Sequence, residues 1–483
     1  MSLGQNVLKL AVGRIASTAV LFAATPIIAR MFIPEDLGIQ EVFMAIMGVL
    51  GVVACLRYEL SIPLGKDDKE AGASFALSII ICVVFALIIL LVVHYTRSYV
   101  AMRFRSPALE GFLWLLPIAI AIDGLRQTLL YWMGYKERFG IMAWSGLAKS
   151  ILAGLTPIIW YFAYGRSPAA LVAAILAGSI VATLVLLFPL FPSLITSIKD
   201  SGFGAIVNIA RRHKKFPVYH TWSGLVNVLS ARMPTFFLGM YFPTKIVGYY
   251  SLGNRVITLP TTLLGASIRQ VLYPAAGKEY NKTGDVAEIV RSIIRRLVQI
   301  GVFPIIAIGF CGASLFSFLF GEEWIEAGVY AQILSIFILP QFITSPVTAI
   351  FSVKSYQEKG LVYNVSLATS RFIVLLLTTR FNNPRVTLGA YAITSFIIYF
   401  LAYTWLLRLS NVSVQWGLKI IIKYISGSVV LLLPTFFLIH AGHGISVILI
   451  SLFLETMLYF LILCKVDKTI QTAISAALHR KHY

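Results

Sequence analysis

Residues 247–278 read VGYYSLGNRVITLPTTLLGASIRQVLYPAAGK. The run is long and apolar enough for a membrane helix, yet it contains Arg255 and Arg269. A charge at the bilayer centre is disfavoured by at least ~2.5–3.5 kcal/mol on insertion scales. Lipid offers no compensating contact, so both arginines are expected to face protein, water or an anionic ligand. An unbroken helix would put them on similar faces, since fourteen residues is nearly four turns. Pro260 and Gly265 lie between them and are expected to kink or unwind it.

The rest of the 483-residue chain has the same character. It is 58% hydrophobic and 12% charged, with a mean hydropathy of +0.85. Soluble domains have about 25% charged residues, so the chain reads as an all-α polytopic membrane protein. The net charge of +20 would suggest nucleic acid on a soluble protein. Here the basic residues punctuate apolar runs, which reads as topology signals and anionic-lipid contacts and leaves no nucleic-acid partner. Cys55, Cys82, Cys311 and Cys464 fall in or beside apolar runs at no metal-binding spacing. They are expected to be small buried hydrophobes.

Runs of about 20 residues are the unit, because that length spans the hydrocarbon core. Fourteen are expected, near 7–29, 38–56, 74–94, 111–133, 141–164, 169–191, 218–241, 248–274, 297–320, 328–352, 362–379, 388–407, 424–442 and 445–464. The first contains Lys9 and Arg14 and flows into further runs, so it reads as a retained helix rather than a cleaved signal. With the N-terminus inside, 25 Lys and Arg fall in inner segments, 8 in outer segments and seven within helices. The positive-inside rule then puts both termini in the cytoplasm. Arg97, Arg103 and Arg105 form the one outer cluster against that trend. The longest connection, 192–217, is internal and strongly basic, and is expected to link two helix bundles on the anionic leaflet.

An internal repeat divides the chain. Phe32-Ile-Pro-Glu-Asp-Leu-Gly38 matches Phe242-Pro-Thr-Lys-Ile-Val-Gly248 at an offset of 210. Arg57-Tyr-Glu-Leu-Ser-Ile-Pro-Leu-Gly65-Lys66 matches Arg269-Gln-Val-Leu-Tyr-Pro-Ala-Ala-Gly277-Lys278 at 212. An even number of helices per copy predicts parallel repeats about an axis along the membrane normal. The expected organisation is a six-helix lobe over 1–191, the linker 192–217, a second six-helix lobe over 218–408, and two added helices with a basic tail over 409–483.

The segment Gly65–Ser78 after Arg57-Tyr-Glu, the linker ending Lys214-Lys-Phe-Pro217, and the Gly248-Tyr-Tyr…Arg255…Pro260 stretch together resemble the Wzx-like polysaccharide flippases of the multidrug/oligosaccharidyl-lipid/polysaccharide superfamily. The similarity runs over roughly residues 1–410. It implies two lobes around a cationic cavity that alternates between the faces of the bacterial inner membrane. The implied substrate is an undecaprenyl-pyrophosphate-linked oligosaccharide repeat unit of O-antigen or exopolysaccharide synthesis. Implied partners are the polysaccharide polymerase and chain-length machinery. No cofactor is implied, and coupling to an H+ or Na+ gradient is left without a site. Two departures stand out. Fourteen helices exceed the twelve usual for such members, and Ser230-Ala-Arg-Met-Pro234 stands where many relatives place an acid.

The residues themselves point the same way. Arg14, Arg126, Lys149, Arg232, Arg255, Arg269 and Arg371 lie within helices, against only Glu41, Asp123 and Glu455. Such a cationic excess suits an anion, and the arginine fork matches phosphate oxygens. Asp123 and Arg126, three residues apart, are expected to pair unless Arg126 turns to substrate. Arg14, Arg126, Lys149, Arg232, Arg255 and Arg371 are the candidate substrate-binding residues. Arg57 and Arg269 are candidate gate or helix-end residues. An efflux carrier for organic cations would need the opposite excess. A membrane polymerase or ligase would need a long outer loop, and the sequence has neither that nor a phosphate loop or zinc motif.

Overall fold

The computed structural model describes residues 3–466. The side chains of 3–9, most of 191–200, 264–271, 273 and 274 lie outside that description, and with them Lys9, Lys199 and Arg269. So do Lys468, Arg480 and Lys481 of the basic tail.

Every regular element among the described residues is helical. In the first half these are α1 (Leu3–Met31), α2 (Pro34–Val53), α3 (Asp68–Arg103), α4 (Leu109–Leu113), α5 (Leu116–Tyr135), α6 (Phe139–Tyr164), α7 (Pro168–Leu187) and α8 (Phe191–Arg212). Then come α9 (Thr221–Tyr241), α10 (Thr244–Ile257), α11 (Ala266–Thr283), α12 (Ala287–Phe320) and α13 (Ile325–Val347). Last are α14 (Ala349–Val353), α15 (Gln357–Thr378), α16 (Pro384–Leu409), α17 (Val414–His440) and α18 (Ile445–Val466). The chain forms two compact units, Met1–Ser251 with Arg371–Pro384, and Leu252–Ser370 with Arg385–Tyr483.

Eleven of the described helical stretches are long and apolar enough to cross a membrane. Set against the fourteen expected runs, the missing three are α5, α9 and the α10–α11 stretch. These contain Asp123 with Arg126, Arg232, and Arg255. Each of these three stretches thus contains at least one arginine within its apolar run.

The 247–278 run is not one helix. α10 ends at Ile257, a π-helical turn spans Thr261–Gly265, and α11 begins at Ala266. Pro260 has no backbone N–H to donate, and the wider turn is how the ladder accommodates it. Arg255 and Arg269 therefore belong to different helices, and the same-face argument fails. The second repeat match also loses its structural meaning. Arg57 sits in a left-handed turn (φ 61°) after α2, whereas Arg269 and Gly277 lie inside α11.

The first repeat match holds a symmetric contact within the first unit. A Cβ on Gly38 would collide with the Thr244 carbonyl oxygen, and a Cβ on Gly248 with the Pro34 carbonyl oxygen. Pro34 and Thr244 are themselves 210 apart, so each glycine packs on the other's helix start. Small residues also let α1 and α6 approach, as membrane helix packing favours: Gly146 faces Ser17 and Gly154 faces Ala24. α7 runs antiparallel to α6, with Gly178 on the Lys149 carbonyl and Ser145 Oγ donating to the Ala182 carbonyl at 2.9 Å.

At 36 residues, α3 is about 54 Å long, well beyond the ~30 Å hydrocarbon core. That length explains the anomalous basic cluster at its end. Arg97 stacks over Trp114 at 5.0 Å and lies 3.7 Å from Glu110. Arg103 Nη1 donates to the Met240 carbonyl at 3.1 Å. At the other end, Lys136 pairs with Asp68 at 2.6 Å and Arg212 with Glu70 at 3.2 Å. The basic connection is largely helix: α8 breaks at Gly202 (φ 63°) and docks on the first unit, with Tyr58 Oη donating to the Ala210 carbonyl at 3.1 Å. In the second unit Gly312 and Gly328 bring α12 and α13 into contact.

Gly38→Ala and Gly248→Ala place a methyl against fixed backbone, where overpacking costs about 1–3 kcal/mol. Each variant is expected to unfold at lower temperature in detergent. Gly134→Ala, which meets open space, is expected to match the wild type.

Candidate functional site

Hydrocarbon forces intramembrane charges to find partners, and the first unit resolves this in two clusters. The first is built on α5. Arg126 lies one turn after Asp123, and its Nε and Nη2 donate to Asp123 Oδ1 at 3.0 and 2.7 Å. Gln127 Nε2 donates to Oδ2 at 3.4 Å. Across from them on α6, Lys149 Nζ stands 3.9 Å from the same Oδ1. The Asp123 side chain is 15% exposed and that of Lys149 35%, so the acid is enclosed while the ammonium reaches open space. Two cations share one carboxylate, which leaves a net positive charge. Such an arrangement can take an anion without displacing Asp123, on the Lys149 ammonium and the Arg126 edge turned away from the acid.

The second cluster joins α2, α9 and α10. Arg232 Nη1 donates to Glu41 Oε1 at 2.5 Å, and Ser251 Oγ donates to Oε2 at 3.0 Å. Arg232 is thereby neutralised in this state, with its side chain 31% exposed. Nothing local in the sequence pairs Glu41 with Arg232, 191 residues apart. One signal was available: Glu41 and Ser251 are separated by 210 residues, the offset of the repeat. The acid faces its own repeat counterpart, beside the reciprocal glycines.

Arg57 forms a third, smaller feature. Its Nη1 lies 3.6 Å from Glu59 Oε1. Its guanidinium covers Gly224 of α9, where a Cβ would stand 2.8 Å from Nη2. The other candidates sit elsewhere. Arg14 lies on an exposed face of α1. Arg371 is buried on α15, at 6% exposure. Arg255 is half-buried in the last turn of α10. The second unit holds a cavity of about 750 Å³ between α12, α13, α16 and α17, lined by apolar side chains with Gln332, Ser335 and Tyr403. Among the described residues no group of three or more His, Cys, Asp or Glu could hold a metal.

A family described as "Polysaccharide biosynthesis protein" matches residues 27–329, more than half of the chain. The chain belongs to that family. The match covers both charge clusters and the reciprocal glycines. Residues of this chain are 25% identical over 202 positions to the teichuronic acid biosynthesis protein TuaB of Bacillus subtilis (strain 168). That match spans 40% of this chain and 40% of the relative's length. The fold is that of a lipid II flippase, MurJ, in its inward closed conformation, with a TM-score of 0.69 at 14% identity over 94% of this chain and 98% of that one. An inward-facing multidrug resistance MATE family transporter of the MOP superfamily shares it, with a TM-score of 0.63 at 16% identity over 83% and 98%. The chain is therefore a multi-pass membrane protein with the fold of these two proteins.

Removing one partner of an enclosed ion pair leaves the other charge uncompensated. Glu41→Ala and Arg232→Ala are each expected to destabilise the protein more than the double variant does. A double-mutant cycle on thermal unfolding in detergent, showing a coupling of about 1 kcal/mol or more, is the expected result.

Proposed function

We propose that the chain carries a lipid-linked oligosaccharide across the bacterial cytoplasmic membrane by alternating access. The substrate is an undecaprenyl-pyrophosphate repeat unit for surface polysaccharide, and both termini lie in the cytoplasm. The observation that carries this reading is the Asp123–Arg126–Lys149 cluster: an anion-attracting surplus of positive charge at membrane depth, in a polysaccharide biosynthesis protein. Pyrophosphate is the one multiply charged group such a substrate always presents. Arginine meets its oxygens with a planar fork and lysine with a compact charge.

In this reading the headgroup enters from the cytoplasmic face and its phosphates are held by Lys149 and the open edge of Arg126. Asp123 keeps both cations in place when substrate is absent. Arg14, Arg255 and Arg371 add positive potential along the route, and Arg232 joins them when it parts from Glu41. The prenyl tail stays in lipid. Arg57 and Arg269 act at the inner mouth. Basic surface near α8 contacts anionic lipid, and the polymerase and chain-length machinery receive the exported unit.

An organic-cation carrier fits less well. Asp123 and Glu41 are both tied to arginines, so neither offers an unpaired negative charge to a cationic drug. A polymerase or ligase would need catalytic groups facing the outer space, and the observed clusters are ion pairs at depth.

A deletion strain complemented with Lys149→Ala or Arg126→Ala is expected to lose surface polysaccharide and to accumulate the lipid-linked intermediate, at wild-type protein abundance. One hydrogen bond to a charged group contributes roughly 1.5–3 kcal/mol, so the export rate is expected to fall about ten- to a hundredfold. Arg14→Ala, Arg255→Ala and Arg371→Ala complete the series. Normal export by all five variants overturns the cationic-site mechanism.

A further inference from the structure

Glu455 has no part in the anion chemistry described above. It lies in the middle of α18 and is 7% exposed. Its Oε1 accepts from the Thr435 backbone N–H and from Ser451 Oγ, both at 3.0 Å. Its Oε2 accepts from Thr435 Oγ at 2.8 Å. Thr435 follows Pro434, which removes a donor from the ladder of α17 and disturbs it locally. The Thr435 N–H is thereby turned to the carboxyl. All of these partners are neutral, unlike those of Asp123 and Glu41.

Polar groups continue from Glu455 along the seam of α12, α17 and α18. Tyr459, one turn further on α18, donates its hydroxyl to the Gln299 carbonyl at 2.7 Å. Gln299 Nε2 donates to Tyr424 Oη at 2.9 Å. The Ser428 hydroxyl is fully buried beside the Tyr459 phenol. The seam ends at Tyr424, next to the exposed Lys423.

We infer that Glu455 is a proton-binding site of the α12–α17–α18 junction, reached through Tyr424, Gln299 and Tyr459. The step is a proton transfer: carboxylate and hydronium give carboxylic acid and water, one O–H bond of hydronium breaking as the O–H bond of the acid forms. The geometry serves both states. The carboxylate accepts the three donors, while the acid donates its own O–H to Thr435 Oγ, whose hydroxyl rotates to suit. A fixed lysine or arginine partner would hold the group permanently ionised. With neutral donors alone, a proton is the species that cancels its charge in place. The titratable group facing it from α12 is Cys311, and on α18 itself Tyr459. The other charged residues and the histidine on these helices stand towards their ends: Glu288, Arg291, Arg295 and Arg296 on α12, Lys419, Lys423 and His440 on α17, and Lys465 on α18. The inference is independent of the transported substrate.

The test is infrared difference spectroscopy between acidic and alkaline buffer, on the full chain in lipid nanodiscs. The wild type is expected to show a buried carboxylic C=O band that exchanges for a carboxylate band as pH rises. Glu455→Gln keeps an oxygen for the Thr435 N–H and is expected to stay folded and lose that band. Tyr459→Phe is expected to keep the band and slow its deuterium exchange severalfold. Superimposable spectra of wild type and Glu455→Gln overturn the site, and unchanged exchange in Tyr459→Phe overturns the route. If Glu455→Gln does not fold, Glu455→Asp replaces it, and a band of unshifted frequency overturns the site.

Discussion

Hydrocarbon does not solvate charge, and most of this structure's particular features follow from that. Each of the helices α5, α9 and α10 contains an arginine, and none of the three is among the eleven described stretches long and apolar enough to cross a membrane. Such helices persist in a membrane when their charges meet other protein groups. Arg126 meets Asp123 on its own helix, and Arg232 meets Glu41 on another. At Lys149 a second cation comes to a carboxylate already held by Arg126. In the proposed function that surplus charge is what holds the anion.

A second constraint is close approach at the helix starts. Gly38 and Gly248 each pack on a carbonyl of the other's loop, and Glu41 meets Ser251 one turn further on. These contacts exchange under the offset of 210, so they trace the repeat in physical form. Asymmetry enters with Arg232, whose pair with Glu41 loads one side of an otherwise equivalent junction. In the proposed function a substrate phosphate competes with Glu41 for the same guanidinium, which would link anion binding to the state of this junction.

Local signals were legible in the sequence. Hydropathy located the long spans, the i, i+3 spacing gave the Asp123–Arg126 pair, and Pro260 with Gly265 marked the break between α10 and α11. Contacts over long separations were not. No propensity or period joins Glu41 to Arg232 or places Lys149 beside Asp123, because tertiary packing makes those meetings. The Arg57–Arg269 match misled because residue identity does not determine backbone state: one arginine sits in a left-handed turn and the other inside a helix. The basic connection read as a linker because its charge masked an amphipathic helix, α8, that docks by its apolar face and by Tyr58.

The most direct measurement of the central claim is translocation in purified proteoliposomes. A fluorescent undecaprenyl-pyrophosphate oligosaccharide would be followed by its loss from, and arrival at, opposite leaflets. The account predicts transfer by the wild type, inhibition by soluble pyrophosphate analogues, and marked loss of transfer in the Arg126→Ala/Lys149→Ala double variant. Equal transfer by the wild type and that folded double variant would contradict it.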